Sequence, residues 1–401
     1  MVLVDIVENR PFPELQGDET AFLRRRLGAR FQRRADGWVI VRVVGRIALP
    51  SGRLLRIRSE KAPAAALLAW IGYVDPSMRA LRDAAVLPDI ADDGDIFSCM
   101  ARLYLEALIS ACTQNGLVRG YRPEGVQSAC IRGRINFPRF LATGQNLAKV
   151  PCVAWARALD TPLNRLLVAA IERIAGDVLL CSEHEPLLQT VRRWFHGVPA
   201  TVAPGLLHGH MSLGRAEAAF QAAFEFARSI LLHSGLGDGS RIQGYSFYVD
   251  LEQYFERAVV RAFKDAGIAC EAKRPLHYAV LRGSGRYQRS MAPDLYCELP
   301  DGPLIVDAKF KPDVSSANIQ QMVTYCMLTG ARRAVLVLPG GAQFDDGYIL
   351  QIPGERALEI RVVGLDTLGR TVAGWRECAA AMVRRVIDNG GQSRPRPRAE
   401  I

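Results

Sequence analysis

Met291-Ala-Pro-Asp-Leu-Tyr-Cys-Glu298, Leu299-Pro-Asp-Gly-Pro303 and Leu304-Ile-Val-Asp-Ala-Lys-Phe-Lys311 follow one another without a break. The outer segments are short runs of strand formers, and the middle one is a turn signal. Together they predict a β-hairpin with a loop slightly longer than two residues. Side chains alternate across a strand, so Ile305, Asp307 and Lys309 share one face of the second run. Leu304, Val306, Ala308 and Phe310 share the other, apolar face. In the first run Asp294 lies on the face of Tyr296 and Glu298, and pairing of the two runs brings Asp294 towards Asp307. The expected product is two carboxylates and a lysine on one sheet face beside a hydrophobic core. Carboxylate oxygens are hard ligands that suit Mg²⁺. A lysine beside such a site can orient or deprotonate an attacking water. A salt-bridged surface hairpin would use the same residues.

Downstream, Ser315 or Ser316 caps a helix that carries Ile319, Met322, Val323 and Cys326 inward, with Gln320, Gln321 and Tyr325 at its margins. Ala334-Val-Leu-Val-Leu-Pro339 is a continuous apolar run of strand length, as in a central strand parallel to its neighbour after a helical crossover. Strands near 348–352 and 358–363 and a helix near 372–387 complete an α/β unit. Upstream, Asp250 caps a helix with Gln253 at its third position, a capping-box arrangement. Leu251, Tyr254, Phe255, Ala258, Val259, Ala262 and Phe263 form its buried stripe. Glu252 and Glu256 lie beside that stripe. Glu256 is either a third acid for the hairpin site or a solvated helix glutamate.

The remainder of the chain reads as two further regions. Residues 1–80 are β-rich at first, with Gly37 to Pro50 turning through Pro50-Ser-Gly-Arg53 into Leu54-Leu-Arg-Ile-Arg58, and an apolar helix follows from Ala62 to Tyr73. The basic cluster Arg24–Arg26 with Arg33 and Arg34 is either a solvated helix face or a contact for nucleic acid or an acidic partner; no stacking aromatics alternate with it in sequence. Residues 81–233 are mainly helical. Phe97, Met100, Tyr104, Ala107, Leu108 and Ala111 keep a period of 3.6 across Ile96–Asn115. Arg132, Arg134 and Asn136 would share a strand face. Thr161 or Asp160 caps a helix with Pro162 in its first turn, where Asn164 and Arg165 are either a functional pair or the polar fixings of a junction. Ser234-Gly-Leu-Gly-Asp-Gly-Ser240 is the most linker-like stretch, so the main boundary is placed there, with 234–390 as the last domain and 391–401 as a basic, Pro-punctuated tail. The predicted class is a multidomain α+β protein whose C-terminal part is α/β with a central mixed sheet.

At 401 residues the chain exceeds the usual size of one core. Its net charge of +10 is that of a protein with an anionic partner, of which nucleic acid is the commonest, or of an unspecialised basic surface. Nine scattered cysteines without a CxxC pair fit neither a disulfide framework nor a zinc cluster. The start has no signal-peptide layout, and the apolar stretch 62–74 is too short to span a bilayer. A cytoplasmic protein without a membrane association is expected. No GxxxxGK[ST], GxSxG or HExxH occurs, which excludes a phosphate-loop NTPase of that type and two common hydrolase classes. His208-Gly-His210 is a weak metal candidate, lacking further His or Cys nearby.

The order Glu256 on a helix, Pro293-Asp294, Asp307-Ala-Lys309 and Gln321 on the next helix resembles the PD-(D/E)xK nuclease superfamily. More closely, the chain is similar to the McrC family, the nuclease subunits of McrBC-type modification-dependent restriction systems. The likeness rests on Tyr254-Phe-Glu256, Ala292-Pro-Asp294, Val306-Asp-Ala-Lys-Phe-Lys311 and Gln321-Met-Val-Thr-Tyr325. In the other half it rests on Leu117-Val-Arg-Gly-Tyr121, Arg132-Gly-Arg134 and Asp160-Thr-Pro-Leu-Asn-Arg165. It spans roughly residues 50–340, while the first 50 residues and the tail carry no matching motif. The resemblance implies a restriction-endonuclease-like C-terminal domain that cuts double-stranded, modified DNA with Mg²⁺. Asp294, Asp307 and the Ala308 carbonyl would hold the metal, with Glu256 direct or through water. Lys309 would serve the nucleophile, and Gln321 would orient the water or a neighbouring phosphate. It also implies an N-terminal part that engages and stimulates an AAA+ GTPase of the McrB type, with GTP bound by that partner rather than by this chain. Two other functions share these residues: a non-cleaving subunit that activates the GTPase, and a stand-alone repair nuclease that cuts without any nucleotide.

Overall fold

Strand pairing joins the two ends of the chain. The computed structural model describes residues 2–388 apart from 13–14, 61, 76–77, 79–80, 82–94, 203–204, 206, 208–212, 234–245, 281–286, 342–344 and 352–356. The 234–240 linker, the 391–401 tail and His208 and His210 therefore lie outside the described residues. The fold is mixed α and β and divides into two compact units, Met1–Cys99 with Arg241–Ile401, and Met100–Ser240.

In the first unit, Leu3–Val7, Leu54–Arg58, Val43–Ala48 and Phe247–Asp250 form a four-stranded sheet in that order. Phe247–Asp250 runs antiparallel to Val43–Arg46, with Val43 opposite Asp250 and Arg46 opposite Phe247. The sequence division separated 1–80 from 234–390, because it followed chain order; a four-residue strand after a long gap carries no local sign of its partner. Arg46 and Asp95 form a fully buried ion pair beneath this sheet.

A six-stranded sheet lies in the same unit, in the order Cys270–Ala272, Leu295–Leu299, Gly302–Ala308, Arg333–Pro339, Leu358–Leu365, Asp345–Leu350. Gly302–Ala308, Arg333–Pro339 and Leu358–Leu365 are mutually parallel, and the outer pairings are antiparallel. The helix Ser316–Thr329 is the crossover between the first two parallel strands, as the apolar run at 334–339 predicted. Leu299 pairs with Gly302, so the hairpin loop is only Pro300 and Asp301, and Gly302 takes a φ of +117°. That conformation favours glycine and lets the loop close in two residues.

The central strand is buried on both faces. Ile305 packs with Met322, Tyr325 and Cys326 from the crossover helix. On the other side of the sheet lies an aromatic cluster, in which Trp70 stacks on Trp375 at 5.1 Å between ring centres and meets Phe255 and Phe310 at 6.1 and 5.7 Å. Trp70 comes from helix Ala64–Val74, Phe255 from helix Leu251–Asp265, Phe310 from just beyond the central strand and Trp375 from helix Val372–Asp388, so four separate chain segments build this core.

In the second unit, helix Pro162–Ala175 packs with Val178–Trp194 and Gln221–His233. Thr161 caps the first of these by accepting the Asn164 N–H. Asn164 is buried, and its amide donates to the carbonyls of Val118 at 2.9 Å and Leu159 at 2.6 Å. Arg165 pairs with Asp160. Both residues are thus polar fixings of a junction. A three-stranded sheet, Gly120–Ser128, Val150–Ala158 and Arg134–Ile135, completes the unit. Arg134 is in that sheet, whereas Asn136 caps helix Phe137–Ala142. Helix Ile96–Asn115 meets the length and hydropathy of a membrane span, but 61% of its most apolar window is buried, as in a core helix.

Candidate active site

The hairpin register continues beyond Leu295, which pairs with Val306, and so places Asp294 opposite Asp307 at the end of the two strands. Both carboxylates are buried, at 2% and 1% exposure. Two structural features hold Asp294. Its Oδ2 accepts the Ala308 N–H at 2.7 Å, and its own carbonyl accepts the Lys273 N–H at 3.2 Å. Asp307 sits in the parallel core of the sheet, and the strand continues to Lys309, whose N–H donates to Val337 O at 2.9 Å.

Lys309 Nζ lies 2.6 Å from Asp307 Oδ2. Beyond this ion pair, the buried oxygen has no hydrogen-bond donor among the described residues. Burial, and next the charge of Asp294, push the Asp307 carboxyl up to about 6, against the pull of Lys309. Like charges at one buried point raise each other's cost of ionisation.

Glu256 reaches the same place from helix Leu251–Asp265, whose first turn is fixed by Asp250 accepting the Glu252 and Gln253 N–H groups. Among the described residues Gln253 makes no reciprocal bond to the cap. One turn before Glu256, Glu252 is engaged by Arg30 and Arg42, which leaves Glu256 as the acid that faces the hairpin. Its Oε2 lies 2.8 Å from Lys273 Nζ, and the same ammonium ion-pairs with Asp294 Oδ1. Burial works against the charged form of Lys273, but its hydrogen bonds to Asp294 and Glu256 outweigh that and raise its pKa well above the ordinary lysine value. Lys273 also has a left-handed backbone, with φ of 54°. Nothing in its spacing from Glu256 or Asp294 marked it in the sequence. A strand pairing, Ala272 opposite Leu295, is what carries it to the site.

Gln321 is adjacent by a different route. Its amide Nε2 donates to Tyr325 Oη at 2.7 Å, and Tyr325 donates in turn to Ala292 O at 2.9 Å. Tyr325 is therefore interior and not marginal, as its helix position had predicted. A buried hydroxyl needs both partners, which the residue four positions earlier and the strand leading to Asp294 supply. Burial, followed by the negative charge of Asp307, pushes its pKa up to about 12.

The structure thus brings together Glu256, Asp294, Asp307 and Lys309, adds Lys273, and places Gln321 beside them through Tyr325. Three carboxylates face two ammonium groups. Among the described residues no three His, Cys, Asp or Glu side chains converge as a ready metal cage. The Lys273 ammonium lies between Glu256 and Asp294. The oxygen-only donor set and the Asp307 oxygen that meets only Lys309 fit a hard divalent cation such as Mg²⁺.

Comparison with known proteins covers most of the chain. Residues 40–339 match the family described as the McrBC 5-methylcytosine restriction system component. The chain belongs to that family. No curated protein matches it. A chain of the refined half-complex from a tetradecameric assembly of Thermococcus gammatolerans McrB AAA+ hexamers with bound McrC has a similar fold, with a TM-score of 0.66 and 14% identity. That alignment covers 96% of this chain and 100% of the other. A chain of the Thermococcus gammatolerans McrBC complex aligns over 66% of this chain and 87% of its own length, at 16% identity and a TM-score of 0.45. The McrBC family match spans residues 40–339, which include the acid cluster, and the first likeness shows a similar fold over 96% of the chain.

Proposed function

We propose that this McrBC-family chain is a Mg²⁺-dependent DNA endonuclease subunit with a PD-(D/E)xK active site. The observation that carries the reading is the burial of Asp294 and Asp307 opposite one another, with Lys309 on the same strand end and Glu256 arriving from the preceding helix. Two buried carboxylates cost several kcal/mol of desolvation unless a cation offsets them (order of magnitude). A fold keeps such a pair where a cation is part of its function.

Asp294, Asp307 and the Ala308 carbonyl would hold the metal, with Glu256 as a direct or water-mediated fourth group. When bound, Mg²⁺ supplies Lewis acidity at the scissile phosphate and lowers the pKa of the attacking water. The side chains do the rest. Lys309 orients the water and takes or offsets its proton. Gln321, locked by Tyr325, orients the water or a flanking phosphate. The net charge of +10 favours the approach of the DNA backbone. One such site cuts one strand, so a double-strand break takes two copies or two assemblies.

The likeness to McrC bound by McrB hexamers supports a partner of the same kind, an AAA+ GTPase oligomer that this chain engages and stimulates. The GTP would be bound by that partner, and the DNA would be double-stranded and modified. The decisive experiment is the Asp307→Ala, Lys309→Ala double variant, assayed for DNA cleavage with the partner GTPase, GTP and Mg²⁺. Cleavage should fall by roughly 10³-fold or more, since loss of several kcal/mol of transition-state stabilisation has that effect. Stimulation of GTP hydrolysis should persist. Cutting at the wild-type rate would remove the nuclease assignment from these residues.

A further inference from the structure

Lys273 stands where a divalent cation would have to stand. Asp294 spends Oδ2 on the Ala308 N–H, so Oδ1 is the oxygen that it turns towards a cation, and Lys273 Nζ already occupies Oδ1. The same ammonium sits 2.8 Å from Glu256 Oε2. Asp294 is a metal ligand in the reading proposed above and Glu256 a direct or water-mediated one, so a metal and this ammonium would compete for the same two carboxylates.

We propose that Lys273 is an internal counter-cation that holds Glu256 and Asp294 together and competes directly with the divalent metal, so that metal binding displaces its ammonium. This rests on the metal-site reading above. The side chain is built to leave: it is 55% exposed on a four-carbon stem, whereas the two acids are only 28% and 3% exposed. With Lys273 seated, Glu256 and Asp294 stay gathered without metal. Once released, the ammonium lies at the open edge of the site, where the DNA backbone arrives. The price of this arrangement is a weaker grip on the metal in the absence of DNA.

The test is Mn²⁺ binding to the full-length chain by calorimetry, with thermal unfolding as a second readout, and without nuclease activity. The variants are Lys273→Met, Lys273→Asn and Lys273→Arg, each also combined with Asp307→Asn. Asparagine tolerates the left-handed backbone at this position, so Lys273→Asn keeps the experiment interpretable should the methionine variant fold poorly. Removing a unit charge in direct contact with the ligands should tighten Mn²⁺ binding about tenfold or more. The metal-free protein should melt earlier in both neutral variants, and Mn²⁺ should raise its melting temperature by more than in the wild type. Lys273→Arg should bind Mn²⁺ as the wild type does. A purely structural role would weaken metal binding in the neutral variants. If they bind Mn²⁺ no tighter than the wild type while Asp307→Asn abolishes binding, the competition is overturned and the metal site stands. If no variant and not the wild type binds Mn²⁺, the metal-site reading fails and Lys273 loses its role with it.

Discussion

Asp307 shows at the residue scale how a site can be held against its own stability. It is nearly inaccessible, faces Asp294, and keeps one oxygen without a hydrogen-bond donor among the described residues beyond its ion pair. Lys309 offsets only part of this, because its own side chain is 22% exposed and shares its field with water. Neutralising Asp307 should therefore stabilise the metal-free fold. Asp307→Asn measured in chelator is expected to gain about 2 kcal/mol in chemical denaturation, the scale of a pKa displacement of one to two units. A loss of stability would mean that the Lys309 ion pair outweighs the repulsion. Tyr325 tests the neighbouring support. Tyr325→Phe leaves the Ala292 carbonyl and one Gln321 donor without their partner, and should cost about 1–3 kcal/mol. Its cleavage rate should fall too, because the Ala292 carbonyl lies two residues before Asp294.

Helix Gly17–Leu27 illustrates the element scale. Glu19 sits in its first turn with no exposed surface, accepts the Gln16 N–H at 2.9 Å, and is paired with Arg53 and Ser51 from the strand connection opposite. Burial alone would raise its pKa, but the bonds from Arg53, Ser51 and Gln16 together hold it below the ordinary 4.5. A depressed carboxylate contributes stability that is present above its ordinary value and lost as pH falls through the folded one. Arg53→Met should destabilise the protein by about 2–3 kcal/mol at neutral pH, since it strands a buried charge. The gap to the wild type should narrow below about pH 4.5, where Glu19 takes up a proton in the variant. Parallel denaturation curves at pH 7 and pH 4 would check this, and an unchanged gap would count against it. The arginines of this helix and of strand Phe31–Arg34 after it have a use that their spacing does not announce. Arg24 and Arg33 lie over the ring of Trp38 at 5.1 Å each, so the basic cluster is partly a packing feature.

At the scale of the whole molecule, the acid cluster depends on residues from both ends of the chain. Trp70 of the N-terminal segment lies among Phe255, Phe310 and Trp375, and Arg30 and Arg42 grip Asp250 and Glu252 at the head of the helix that presents Glu256. A fragment of residues 241–401 would expose that aromatic cluster and lose the strand partner of Phe247–Asp250. It should bind a hydrophobic dye and unfold without a cooperative transition, and a fragment of residues 1–99 added in trans should restore both properties. A cooperative melt of the C-terminal fragment alone would show that the six-stranded sheet is self-sufficient.

What the sequence determined by itself was local. The alternation in 304–310, a turn within 299–303, the apolar run at 334–339 and the caps at Asp250 and Thr161 follow from periodicity and turn chemistry, although the loop closes in two residues rather than the longer one expected. With them came Asp294 opposite Asp307, because pairing across a short hairpin has few registers. The tertiary structure decided whatever joins residues far apart in the chain. It placed Phe247–Asp250 beside Val43–Arg46, buried Tyr325, put Arg24 and Arg33 over the ring of Trp38 and brought Lys273 between Glu256 and Asp294. Such contacts depend on how sheets and helices pack, and no short-range pattern encodes them. The opening hairpin could be read as a pair of acids with a lysine; only the folded chain shows a second lysine already seated on one of them.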